Sequence, residues 1–313
     1  MKGKQVAYIG VVFAEIFWAA SFIFTNEALK VFTPVSVVVM RITVATLLLL
    51  AFCTLRRELE IPTWKETWLF VLAGIFQPFI YFILEAYGLQ YTNSPNTASL
   101  ILALGPLLSP FVAWLLIRER ITVHTVIGLF ICAGGIAIIV TVGQELKLNV
   151  TGVVLLAMAA MTTIFYTICL RKVHPRFKPA TIVFWVDVTS LVFFLPAWAI
   201  MDRGKPFIMG QVIEAVKTGG IMMADEGRAI GAIVILAVFC SVVSYICFCN
   251  AVRYIGVAKA NAFSNLIPAL TPVCVWIFTG EMMEWNKYMG ILVVIGGLFL
   301  SQNGKKDNEI KTT

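Results

Sequence analysis

The chain has 313 residues, of which 60% are hydrophobic and only 13% charged. A soluble globular domain is about half apolar and about a quarter charged, so an ordinary water-soluble enzyme is excluded. The 24 Lys and Arg against 17 Asp and Glu give +7, an excess produced either by nucleic-acid binding or by the gathering of cations on the cytoplasmic side of a membrane.

A bilayer-spanning helix needs about 20 mostly apolar residues. Ten such stretches follow one another, at 6–25, 35–55, 67–89, 94–117, 123–141, 150–170, 180–201, 230–252, 257–279 and 285–302. The expected fold class is therefore all-α integral membrane, with ten transmembrane helices. Lys2 and Lys4 before an apolar run imitate a cleaved signal, with Ala19, Ala20 and Ser21 as small residues. Removing that run would leave nine spans and spoil the charge distribution, so it is read as the first span. The long connection from Asp202 to Ala229 carries Ile208, Val212, Ala215, Val216 and Gly219 at helical spacing, which fits a short interfacial helix or an ordered loop.

Cations set the expected orientation. With the N-terminus inside, 16 Lys and Arg fall on the cytoplasmic side, 7 on the outer side, and Arg41 lies within a span. Both ends are expected to face the cytoplasm, in the inner membrane.

The chain also contains itself twice. A shift of 162 residues over 98–135 pairs Ala98 with Ala260, Leu104 with Leu266, Pro106 with Pro268, Leu108 with Leu270 and Pro110 with Pro272. It also pairs Trp114 with Trp276, Glu119 with Glu281, Gly128 with Gly290, and Gly134 and Gly135 with Gly296 and Gly297. Upstream the register slips by one and pairs Leu89-Gln90-Tyr91 with Val252-Arg253-Tyr254. The expected organisation is two five-span repeats, 1–142 and 143–303, and a polar cytoplasmic tail, 304–313. Because five is odd, the second repeat is inverted in the membrane. Inverted repeats are an architecture of secondary transporters, whose site lies near the midplane where the halves meet.

These motifs resemble a known family. Trp18-Ala19-Ala20-Ser21-Phe22, Pro34 with Arg41, Gly88-Leu89-Gln90-Tyr91-Thr92, Pro106 with Pro110, and Arg118-Glu119-Arg120 resemble an EamA-type unit of the drug/metabolite transporter superfamily. Ala251-Val252-Arg253-Tyr254, Pro268 with Pro272, and Gly280-Glu281 repeat it. The resemblance covers residues 1–302 and implies ten helices and transport of small metabolites, often outward and including amino acids. The halves depart from each other where Arg41 meets Val186 or Asp187, and where Trp18 meets Thr163 or a neighbour.

Polar residues inside spans are expected to line a water-filled path. The ionisable ones are Glu15, Arg41, Glu85 and Asp187. Counting the helical rise, Arg41 can reach Glu15 or Glu85, as a functional group or as a structural ion pair. Three acids and one base leave an excess of negative charge in a low dielectric, and burial of an unpaired carboxylate favours its neutral form. Glu15 or Asp187 is therefore the expected proton-coupling group, with a plain water-exposed acid as the alternative.

Span one places Glu15, Trp18, Ala19, Phe22 and Asn26 on one face. Span three presents Gln77, Tyr81 and Glu85 beside Pro78, which removes a helix hydrogen bond and frees a carbonyl near residue 74. Thr162, Thr163, Tyr166 and Thr167 in span six, Ser241, Ser244 and Tyr245 in span eight, and Asn261, Ser264 and Asn265 in span nine supply further polar groups. The substrate-binding candidates are thus Glu15, Trp18, Phe22, Arg41, Gln77, Tyr81, Glu85, Tyr166, Ser244, Tyr245, Asn261 and Asn265. Helix-to-helix hydrogen bonding and packing are the structural alternatives. Trp18, Phe22, Phe79 and Tyr81 would suit a flat solute or serve as packing. Pro106, Pro110, Pro268 and Pro272 are hinge candidates or fixed bends, and the glycines Gly128, Gly134 and Gly135 are expected to let helices approach closely.

The seven cysteines show no CxxC, and His124 and His174 lie near loops, so no metal or cofactor is expected. GxxxxGK[ST], HExxH and GxSxG are absent from the sequence, which leaves no catalytic candidates and no ATP hydrolysis by the chain itself. Asn149 is expected to cap span six. The implied partners are a small-molecule substrate and the lipid bilayer, with no nucleic acid and no ATPase subunit. A membrane-embedded enzyme or lipid-handling protein is the alternative function, and a channel a weaker one.

Overall fold

A computed structural model describes residues 2–103, 105, 123–124, 126–128, 130–131, 134–135, 149–173, 177–202, 224–255, 260, 263–282, 285, 288–297 and 300. Every described element is a helix. In chain order these are α1 (Lys2–Leu29), α2 (Pro34–Leu55), α3 (Trp64–Gly74), a widened π turn (Ile75–Ile80), α4 (Tyr81–Thr92) and α5 (Pro95–Leu102). Then come α6 (Val150–Val173), α7 (Pro179–Met201), α8 (Ala224–Ile235), a second π turn (Leu236–Val243) and α9 (Ser244–Ile255). A 3₁₀ turn (Ser264–Leu266) leads into α10 (Ile267–Thr279), and α11 spans Tyr288–Gly297.

Six helical segments among the described residues are long and apolar enough to cross a membrane: Gly3–Leu29, Pro34–Leu55, Trp64–Thr92, Val150–Leu170, Pro179–Met201 and Glu226–Ile255. They coincide with six of the expected spans and make the chain a multi-pass membrane protein. The shorter apolar helices α10 and α11 fall within the expected spans 257–279 and 285–302. The expected spans 94–117 and 123–141 and the interfacial stretch 207–223 lie largely or wholly outside the described residues.

Local chemistry sets the helix ends. Thr33 precedes Pro34, and its hydroxyl accepts the Ser36 N–H at 3.3 Å; Ser94 before Pro95 does the same for Thr97 at 3.3 Å. Glu66 reaches back to the Thr63 N–H at 2.8 Å, closing a capping box on α3. Asn149 caps α6, its side-chain oxygen accepting the Thr151 N–H at 3.0 Å.

Three sets of helix contacts form the body: α1 packs along α8, α9 and α10, α4 along α6, and α2 along α7. Small residues set the closest crossings. A Cβ built on Gly88 would lie 2.6 Å from Leu156 Cγ, and one on Gly152 would lie 2.9 Å from Thr92 Cγ2, so α4 and α6 meet at a separation only glycine permits. Gly135 is likewise pressed against Gly290 and Val294, whereas Gly134 has nothing within 4 Å. Packing thus explains Gly135 but not its neighbour.

α2 and α7 run antiparallel and are tied at both ends. At one end the Asp202 carboxylate accepts from the hydroxyls of Thr33 and Ser36, the latter at 2.6 Å. At the other, Thr181 Oγ1 donates to the Glu58 carbonyl at 2.6 Å, Trp185 Nε1 donates to the Glu60 carbonyl at 2.9 Å, and Lys178 lies 3.5 Å from Glu58.

Candidate functional site

The site begins with a proline. Pro78 has no N–H to continue the helix, and the ladder re-forms with a longer step: the Tyr81 N–H donates to the Phe76 carbonyl, five residues back. Gln77 is extended there (φ −151°, ψ 121°). Its amide nitrogen crosses to the opposite helix and donates to the Tyr245 hydroxyl at 2.7 Å. The facing helix carries a widened turn of its own, Leu236–Val243. Just past it, the Ser244 hydroxyl donates to the Phe239 carbonyl five residues back, at 2.7 Å. Such turns insert one residue into a helix and recur at functional sites.

Arg41 enters this region from α2. Its Nε donates to Ser241 Oγ at 2.7 Å, and its guanidinium lies 4.2 Å from the centre of the Phe82 ring. The expectation that Arg41 pairs with Glu15 or Glu85 is corrected: among the described residues it makes no ion pair within 4.0 Å. Its charge acts instead at longer range on Glu85 and Asp187. Depth along a helix axis measured reach but not azimuth, and Glu15 faces another neighbour.

Asp187 is 5% exposed, and its Oδ2 has no hydrogen-bond partner. It lines a small cavity together with Gln77, Tyr166, Ser241 and Tyr245, closed by apolar groups of Ile42, Phe82 and Val186. The space holds about one water molecule. Glu85, also buried, accepts a long hydrogen bond from the Tyr81 hydroxyl at 3.4 Å.

Glu15 belongs to a second place. It is fully buried in α1, where Oε1 accepts from Ser264 Oγ at 3.0 Å and Oε2 has no partner. The four ionisable side chains within the spans are thus divided: Arg41, Glu85 and Asp187 in one cluster, Glu15 in another.

Several candidates do not border this small cavity. Trp18 donates through Nε1 to the Cys240 carbonyl at 3.0 Å, and its ring packs against Tyr245 and Phe248 with centroids 5.1 and 5.2 Å away. Phe22 is buried among Leu89, Ala98 and Leu156, and Phe79 packs tilted against Phe193 and edge-on against Phe194. Thr162 and Thr163 donate to carbonyls of their own helix at 2.7 Å each. Ser241, rather than Ser244, lines the cavity. Ser244 spends its hydroxyl on the Phe239 carbonyl instead.

Pro268 occupies the first turn of α10, where it costs no helix hydrogen bond, and Pro272 lies inside the helix. Pro106, Pro110, Asn261 and the side chains of Thr167 and Asn265 lie outside the described residues. Among the described residues no cluster of three or more His, Cys, Asp or Glu is placed to hold a metal ion, and the six described cysteines are free thiols.

The sequence matches the model of the EamA-like transporter family in two stretches, residues 5–141 and 150–302. It is 22% identical over 284 residues to the uncharacterized transporter YdfC of Bacillus subtilis, covering 90% of this chain and 86% of that one. It is 21% identical over 293 residues to an uncharacterized transporter of Archaeoglobus fulgidus, covering 94% and 97%. The uncharacterized transporter YyaM of Bacillus subtilis is 23% identical over 299 residues, covering 94% and 93%. A protein of known crystal structure shares the fold with a TM-score of 0.66 at 14% identity, over 97% of this chain and 98% of that one.

Proposed function

Because the chain belongs to the EamA-like transporter family, we propose that it is a secondary transporter that moves a small polar metabolite, such as an amino acid, outward across the inner membrane by alternating access. The observation that carries this reading is the buried polar cluster of Arg41, Gln77, Glu85, Asp187, Ser241 and Tyr245. A wholly structural helix bundle gains nothing from unpaired buried charge, which is costly in a membrane and marks substrate or ion pathways.

In this reading the chain has ten spans in two inverted repeats, with both termini in the cytoplasm. Helix packing supports it. If spans one to four of the first repeat correspond to spans six to nine of the second, the pairing of α1 with α8 and α9 has its counterpart in α4 with α6. The contact of α2 with the second π turn has its counterpart in that of α7 with the first, and the α2–α7 pair maps onto itself. The register upstream of residue 98, slipped by one, carries residues 75–80 onto 238–243, inside the second π turn. Arg41 meets Val186 or Asp187 in the second repeat, so the base of one half and the acid of the other lie at neighbouring positions of the corresponding spans.

The test is solute counterflow. Purified protein in liposomes preloaded with unlabelled amino acids, nucleosides or sugars should take up the matching radiolabelled solute unchanged. Absence of exchange with every class, or chemical conversion of a lipid, would overturn the reading. Everted vesicles report the direction.

A further inference from the structure

We propose that Asp187, Gln77, Tyr245 and Ser241 form a binding site for one desolvated monovalent cation of the size of sodium. The inference rests on the transporter reading only for its use, since ion binding itself is a separate property. Four observations converge on it.

The first is an acceptor without a donor. One carboxylate oxygen of Asp187 has no hydrogen-bond partner although the side chain is 5% exposed and faces the cavity. The second is the supply of neutral oxygens beside it. Gln77 commits its amide nitrogen to Tyr245, which leaves the amide oxygen as the acceptor on that side chain. Ser241 and Tyr245 add hydroxyl oxygens to the same cavity wall. Oxygen-only sets of this kind suit hard cations.

The third observation is charge. Arg41 lies within electrostatic range of both Glu85 and Asp187, so when both acids are ionised one guanidinium answers two carboxylates and a single negative charge is left uncompensated. One monovalent cation neutralises it. A divalent ion would overshoot by one unit beside a guanidinium, and one carboxylate among neutral oxygens is a poor site for it. Tyr166 and Cys249, the other titratable neighbours of Asp187, are uncharged acids and do not alter the count. The fourth is room. The cavity holds about one water molecule, which admits a bare ion and excludes an amino acid or any larger substrate ammonium in this conformation. Gln77 owes its place to the widened turn at Pro78, so the ion would bind where one helix of each proposed repeat is irregular, as ions do in transporters with interrupted helices.

The experiment measures thermal unfolding of the purified full chain in detergent, at constant ionic strength, with choline chloride exchanged for sodium or potassium chloride. Ligands that bind only the folded state raise its midpoint. Sodium should raise the midpoint by several degrees, saturably, and potassium less. The rise should vanish in Asp187→Asn, shrink in Gln77→Ala and persist in Glu27→Gln, a change at an exposed ion pair. Should Asp187→Asn fail to fold, radioactive sodium retained by the wild-type chain should approach one ion per chain and be displaced by unlabelled sodium.

Midpoints equal in the three salts from mildly acidic to mildly alkaline buffer, with no retained sodium, would overturn the proposal and leave a proton as the neutralising charge. Counterflow that proceeds under those conditions would leave the transporter reading standing. Sodium binding without any counterflow would sink that reading and leave the ion site.

Discussion

Arg41 and Ser241 stand 200 residues apart in the chain and are joined by a 2.7 Å hydrogen bond from the guanidinium Nε. The bond ties α2 to the second π turn and holds the buried cation within electrostatic range of Glu85 and Asp187. Removing the base while both acids remain leaves buried charge without its counterweight, a loss of about 3–5 kcal/mol. Arg41→Met should therefore unfold far more readily than wild type in a detergent denaturation series. Ser241→Ala removes one hydrogen bond and keeps the charge, so it should cost about 1–2 kcal/mol. If the two variants proved equally mild, the charge balance assigned to this cluster would be wrong.

Tyr245 has two roles that one substitution separates. Its ring packs against Trp18 at 5.1 Å, and its hydroxyl accepts from Gln77. Tyr245→Phe keeps the ring and orphans the Gln77 amide at the cavity wall. Stability should fall by only about 1 kcal/mol. Counterflow should fall much more, because the group that fixes Gln77 is lost. A proportionate loss of both, measured side by side, would assign the pair to packing alone.

Glycine substitutions test the close crossing of α4 and α6. In Gly152→Ala the new methyl would sit 3.0 Å from Tyr91 Cβ and 3.1 Å from the Gly88 carbonyl oxygen, so α4 and α6 must part and the folded protein should lose stability, in the range of about 1–3 kcal/mol for overpacking. Gly231, within α8, has nothing within 4 Å. Gly231→Ala should be neutral or stabilising by up to about 1 kcal/mol through helix propensity. Thermal midpoints of the two variants should move in opposite directions or, at the least, differ clearly.

Much of this architecture was legible in the sequence because bilayer thickness dictates apolar length. The six long described helices coincide with stretches marked by composition alone, and burial of Glu15, Arg41, Glu85 and Asp187 followed from their apolar surroundings. Partners were less legible. Arg41 was expected to reach Glu15, yet the hydrogen-bond partner of Glu15 is Ser264, because which neighbour a helix face meets depends on tertiary packing. Ser241, Ser244 and Tyr245 share one face at regular helical spacing, and only the packed structure shows that Ser241 and Tyr245 border the cavity while Ser244 bonds to its own helix. Pro78 did signal an interruption, but only the backbone shows that it turns Gln77 toward Tyr245.

Glu15 and Asp187 lie in separate settings, and that separation predicts how pH acts on transport. Glu15 shares one oxygen with Ser264, while Asp187 feels the charge of Arg41. Each has one buried carboxylate oxygen without a partner. If both take part in coupling, they do so as two independent proton or ion stations, because neither carboxylate is bonded to the other's partners. An acid that must release its proton to complete a cycle slows that cycle as pH falls, so exchange should decline toward acidic pH. Glu15→Gln and Asp187→Asn each remove one titrating group. Each should flatten part of the pH profile, and their effects on log rate should add in the double variant, as for sites that do not share partners. Rates measured across pH in liposomes for the four proteins decide the matter. A double variant no slower than either single one would mean that the two acids serve a single step.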